Sequence, residues 1–270
     1  VSSVRIGRVD GELILFPTYQ QLAESDFDLT VAGTEASVVM LEAGANEVSE
    51  DDLIEALGVP QMVQIMREEG QGYGADLGRD MLPGGSDAAW EAVVDRIYDT
   101  DAMLETVRAG FAEEIEGTDL DPLLDYFTSD AGARIVGLEI SAREAMVSED
   151  VEEAARDAYR MAAAEEDPSL EPLEALIEAN DLVEANVVGA LNASFAFYKG
   201  LADGGGLEMS EAEMLSDVWG QEDETRADTR EWLFAYMMLA YGPLGEEALA
   251  DYVALSETTE GQALNRALFA

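Results

Sequence analysis

The chain has 270 residues, 59 of them Asp or Glu against 14 Lys or Arg, for a formal net charge of −45. A field of that sign repels phosphate backbones and anionic membranes, so the charge argues against nucleic acid as a partner. The 48% hydrophobic content is ample for a packed core, and with neither Cys nor His the chain lacks thiolate or imidazole catalysis and metal ligation.

Residues 1–48 read as β-rich. "VRIGRVDGELILFP" sets Asp10-Gly11, a tight-turn pair, between two short apolar runs, and Pro17 ends the second. "TYQQLAESD" reads as a connector. "DFDLTVAGTEASVVMLEAG" (26–44) then reads as two further strands about Gly33-Thr34.

From Ser49 the period changes to that of a helix. Ser49 is a natural N-cap with Asp52 three residues on, and Gly58 and Pro60 mark one helix end and the next start. "GQGYGADLG" (70–78) lacks the spacing of a nucleotide loop and follows a helical pattern. It is read as a kink or a close helix–helix approach. Ser86 or Asp87 caps the next helix. Further helices are expected near 87–98, 100–116, 120–127, 130–146, 148–166, 170–202, 210–218, 222–241, 244–255 and 258–269. No apolar run is long enough to span a membrane, and no leader pattern is visible at Val1.

An internal repeat links "LLDYFTSDAGARIV" to "LADYVALSETTEGQAL". Asp125-Tyr126 pairs with Asp251-Tyr252, and Gly132 with Gly261, with three extra residues in the second copy. Tyr126, Ser129 and Gly132, and Tyr252, Thr258 and Gly261, are read as structural junctions of a duplicated helix–turn–helix unit, with Ser129 and Thr258 as caps.

The acidic clusters "DTDAMLE" and "GTDLDPLLD" lack a calcium-loop pattern and are read as helix caps. The segment 176–206 is apolar on nearly every face and is read as a buried central helix. Asn180, Asn186 and Asn192 recur every six residues, which on one continuous helix sends them in three directions. Asn192, Ser194 and Tyr198 are the candidate lining of a small polar cavity. "EWLFAYMMLAYGP" reads as core or as an adaptable Met- and aromatic-rich surface. No catalytic, cofactor-binding or metal-binding residue is assigned, and no cofactor is implied.

Two resemblances add to this reading. "VRIGRVDGELILFPT" and "LAESDFDLTVAGTEASVVMLEAGANEVSEDDL" make residues 1 to about 57 resemble the latter part of the first RNase PH-like core of polynucleotide phosphorylase. The resemblance implies RNA-phosphorolysing ancestry for that segment, without the family's catalytic motifs. "FTSDAG", "ETTEGQALNRALF", "IMREEGQGYGADL", "NDLVEANVVGALN", "FYKGLADGG" and "DVWGQE" make residues from about 53 onward resemble an exported bacterial family of helical proteins of unknown function. Its mark is an aromatic–x–Ser–x–x–Gly–Gln/Arg junction. That resemblance implies a periplasmic location, with a cytoplasmic one compatible with this sequence.

The expectation is a mainly α protein: a β-rich fragment over 1–48 and an all-helical domain over 49–270, joined as in a chimaera. The function expected is non-enzymatic, the binding of a protein partner or small ligand in the bacterial envelope. The alternative is an RNA-processing protein related to polynucleotide phosphorylase. Oligomeric state is not legible.

Overall fold

The computed structural model describes residues 5–9, 12–16, 49–82 and 85–270. The chain divides into two units, Val1–Gly44 and Ala45–Ala270. In the first, β1 (Arg5–Val9) pairs antiparallel with β2 (Glu12–Phe16), Val9 opposite Glu12, so that two residues, Asp10 and Gly11, connect the strands. The remainder of the β-rich reading, including the strands expected within 26–44, lies outside the described residues.

Among its described residues the second unit is helical, with no strand. It starts at α1 (Glu50–Ala56), where Ser49 Oγ accepts the Asp52 amide and Asp52 accepts in return from the Ser49 amide. This reciprocal box satisfies two of the donors that a helix start leaves free. Gly58, at φ +67°, turns the chain into α2 (Val59–Met81).

Within α2, Gly70, Gly74 and Gly78 stand four residues apart, on one face. Each meets a side chain from the next helical hairpin: Tyr98, Val94 and Trp90 in turn. Trp90 Nε1–H donates to the Gly74 carbonyl at 2.7 Å. The glycine-rich run is thus the groove in which α3 (Ala88–Ile97) lies, a close helix–helix approach. Asp87 caps α3 through the Ala89 and Trp90 amides.

There follow α4 (Thr100–Ile115), α5 (Asp121–Phe127), α6 (Asp130–Ala145) and α7 (Glu149–Ala164). After a short 3₁₀ turn at Pro168–Leu170 come α8 (Glu171–Ala179), α9 (Leu182–Asp203), α10 (Glu211–Gly220), α11 (Glu222–Tyr241), α12 (Glu246–Ser256) and α13 (Thr259–Leu268). Asp99, in one of the acidic clusters, caps α4 by accepting from the Ala102 amide.

Two expectations are corrected. The helix expected over 170–202 is broken: Asp181 takes a left-handed conformation (φ +49°) and separates α8 from α9. Nor is α9 a buried central helix. Val187 and Leu191, one turn apart, are its buried residues, whereas Val188 and Phe197 are exposed. Val187 and Leu191 pack on Val218 of α10, and Leu182 and Val183 pack against the cluster around Leu176 and Leu233.

The core is in two parts. Leu53, Val63, Phe111, Ile115, Leu123 and Phe127 form one, drawing on α1, α2, α4 and α5, with Leu264 of α13 closing it. Ile135, Leu176, Leu233, Phe234, Met237 and Leu249 form the other, from α6, α8, α11 and α12. Tyr126 and Tyr252 border both. Arg156 and Arg160 of α7 bracket Glu231 of α11 at 3.1 and 2.9 Å, tying those two helices together at the surface.

Candidate functional site

The repeat supplies the frame of the site. Ser129 Oγ donates to the Tyr126 carbonyl (2.6 Å) and accepts from the Gly132 amide (3.1 Å). Thr258 Oγ1 donates to the Leu255 carbonyl (2.7 Å) and accepts from the Gly261 amide (3.0 Å). The cap backbones agree within 2° in φ and 1° in ψ, at −69°/161° and −71°/162°. A Cβ built on Gly132 would meet the Tyr126 oxygen at 2.1 Å, and one on Gly261 the Leu255 oxygen at 2.1 Å. Only a glycine lets the second helix pass so near the end of the first.

In space the two copies therefore correspond without a gap: Tyr126 to Leu255, Phe127 to Ser256, Ser129 to Thr258, Gly132 to Gly261. Tyr126 and Tyr252, paired as equivalents by sequence, are instead partners. Their rings stack with centroids 6.1 Å apart and 11° between planes.

Beside that stack, between the two cores, lies a cavity of about 300 Å³. Its aromatic wall comes from Phe127, Trp232, Tyr236, Tyr241 and Tyr252. Its charged members are Glu139 and Arg143, both of α6. Tyr241 Oη donates to Glu139 Oε1 at 2.5 Å, Tyr252 approaches the same carboxylate, and Tyr236 Oη donates to the Glu139 backbone carbonyl at 3.1 Å. Glu139 is half-buried, with its carboxyl group held among these hydroxyls where it lines the cavity.

Burial raises the Glu139 carboxyl above its ordinary value, and the Tyr241 and Tyr252 hydroxyls pull against that shift. The tyrosines respond in kind. Burial first, then the Glu139 charge, push Tyr236 and Tyr241 far up. Tyr126 is pushed up to about 12 by burial and by Asp251 and Glu139. Its hydroxyl is buried without a hydrogen-bond partner among the described residues.

Arg143 stands one helical turn after Glu139, where it could pair with it. It pairs with Glu69 of α2 instead, at 2.6 Å, and lies over the Trp232 ring at 5.1 Å. Among the described residues no ion pair engages Glu139.

Asn180, Asn186 and Asn265 line the same cavity. Asn180 Nδ2 donates to the Leu176 carbonyl (3.1 Å) and Asn186 Nδ2 to the Leu182 carbonyl (2.8 Å). Asn265 Nδ2 donates to the Asn180 carbonyl. The convergence of Asn180 and Asn186 corrects the three-direction reading. That reading requires one continuous helix, and the turn at Asp181 removes it.

Asn192, Ser194 and Tyr198 lie elsewhere. Asn192 is exposed, Ser194 half-buried, and Tyr198 Oη donates to Asp217 at 2.9 Å; none of the three lines the cavity around Glu139. In the sequence Glu139 is inconspicuous, because "GLEISAREA" reads as an ordinary charged helix face. The aromatic run 231–243 was the usable signal, since Trp232, Tyr236 and Tyr241 all come from it.

The geometry defines the second unit as an all-helical fold with an acceptor-bearing, aromatic-walled cavity. Among the described residues no helix is long and apolar enough to cross a membrane. No solved structure matches the chain.

The first unit has relatives. Residues 1–59 match the model of the 3′ exoribonuclease family, domain 2. The polyribonucleotide nucleotidyltransferase of Oceanobacillus iheyensis is 56% identical over 57 residues, covering 21% of this chain and 8% of the relative. That of Salinibacter ruber is 57% identical over 58 residues, 22% and 8% of the two chains. That of Picosynechococcus sp. is 31% identical over 147 residues, half of this chain and 21% of the relative. The N-terminal segment thus resembles a polynucleotide phosphorylase fragment, and the chain spans between about a tenth and a fifth of the length of these relatives.

Proposed function

We propose that the protein has a role in RNA processing of the polynucleotide phosphorylase kind, carried by residues 1–59, with the helical unit attached as a binding module. The supporting observation is the match of that segment to the 3′ exoribonuclease family at 56–57% identity. It favours this reading over a purely non-enzymatic envelope protein. The net charge of −45 works against RNA contact, so magnesium is needed to screen it. The test is incubation of the full chain with poly(A), phosphate and magnesium. The expected result is phosphate-dependent release of ADP that stops when residues 1–48 are deleted. No release from the full chain sinks the reading.

A second reading concerns the helical unit alone: non-enzymatic binding of a small ligand, in the envelope location that its resemblance implies. The half-open, aromatic-walled cavity at Glu139 favours it. Fractionation of the source cells tests the location, and recovery of the chain solely in the cytoplasm would overturn it.

A further inference from the structure

We propose that the cavity around Glu139 binds a small organic cation, a protonated amine with a compact apolar body, whose ammonium group sits between the Glu139 carboxylate and the surrounding aromatic rings. The inference rests on the ligand-binding reading of the helical unit and names the chemistry of the ligand.

Charge is the first ground. Glu139 accepts from the Tyr241 hydroxyl, and Arg143, which also lines the cavity, pairs with Glu69 instead of Glu139. A carboxylate taken out of water without a cation is unfavourable, and a bound ammonium supplies the missing charge. The second ground is the balance of donors and acceptors. The Asn180, Asn186 and Asn265 amides each donate one of their two N–H bonds to a backbone carbonyl. This fixes the orientation of each amide and leaves the side-chain oxygens as acceptors. Those oxygens and the Glu139 carboxyl group offer several acceptors to a ligand that donates.

Third, the walls fit a cation. Aromatic faces attract ammonium groups through their ring quadrupoles, more strongly where water is excluded. Size sets the body. A cavity of about 300 Å³ is at the small end for ligand sites and holds about ten non-hydrogen atoms at ~30 Å³ each. That fits one ring with a short amino tail. The acidic surface then raises the local concentration of such a ligand.

Isothermal titration of the full chain with three compounds of one shape tests this: 2-phenylethylammonium, 2-phenylethanol and phenylacetate. The cation is expected to bind at least about ten-fold more tightly than the alcohol, and phenylacetate not to bind. Glu139→Gln, checked for a cooperative melt, is expected to lose the preference. Ser256→Phe keeps every carboxylate but fills the cavity from its floor, and is expected to lose the cation too. Equal or tighter binding of the alcohol or the carboxylate overturns the proposal and leaves a ligand site of another kind. Binding of none of the three overturns both. A preference that survives in Glu139→Gln marks cation association with the acidic surface and overturns the assignment to this cavity. The ranking of the three compounds on the unaltered chain stands even if a variant fails to fold.

Discussion

The junctions at 126–132 and 255–261 are one backbone device in two settings. Cap, carbonyl contact and glycine superpose residue for residue, but what they carry differs. At the first, Phe127 is buried in the core beside Leu123 and Phe111. At the second, the equivalent residue is Ser256, also buried, and the room that a large side chain would take is part of the cavity. The same offset leads from Glu139 to Leu268, so the carboxylate too belongs to one copy only. A duplicated unit has kept its hinge chemistry while its side chains specialised, one copy for packing and the other for an opening.

The comparison breaks first at the glycines. Gly132→Ala and Gly261→Ala each drive a methyl group into a backbone carbonyl that has nowhere to go. Each is expected to destabilise the helical unit by about 4 kcal/mol or more in urea unfolding. Similar losses at both sites would support equal junctions; a mild effect at one would show that its hinge can open.

Next comes the position where the copies differ. Phe127→Ala is expected to lose about 3 kcal/mol, because it removes a buried ring that packs in the first core and also walls the cavity. Ser256→Ala is expected to lose no more than about 1 kcal/mol, since its neighbourhood is already open. Equal losses would contradict the division of labour. The caps should again look alike: Ser129→Ala and Thr258→Ala each cost about 1 kcal/mol, measured in the same way.

A pH series sharpens the contrast most finely. Burial holds the Glu139 carboxyl above its ordinary value of 4.5. The folded state therefore keeps a proton that the unfolded chain gives up. The stability this provides is complete below the ordinary carboxylate range and is lost as pH rises through the folded value. Glu139→Gln removes that dependence. Its stability relative to the unaltered chain is expected to rise with pH across the window, and a flat difference in unfolding midpoints would count against a carboxyl group raised by burial.

Much of the helical unit was legible in the chain itself. Ser49 with Asp52, Asp87, Asp99, Ser129 and Thr258 all cap where their spacing puts them, because a cap is set by the few residues around it. The extent of α11 was legible too, from its apolar period. The run of Gly70, Gly74 and Gly78 showed a close approach without showing what approaches: Tyr98, Val94 and Trp90 return across a turn whose path the spacing does not state.

The cavity was not legible, for three physical reasons. Asn180 and Asn186 converge only because one residue, Asp181, leaves the helical conformation. Glu139 looks like solvent-facing charge until Tyr241 and Tyr252 arrive from about a hundred residues later in the chain. Arg143 looks like its partner until Glu69 takes it from another helix.

By itself, then, the sequence determined the local events: where helices start and stop, which residues cap them, that a junction is repeated, and that the first 59 residues resemble a 3′ exoribonuclease segment. Those follow from interactions within a few residues or from shared ancestry. The tertiary structure decided which glutamate the tyrosines gather round, which arginine is diverted and which tyrosines meet, because burial and charge pairing are properties of groups brought together across the whole helical unit.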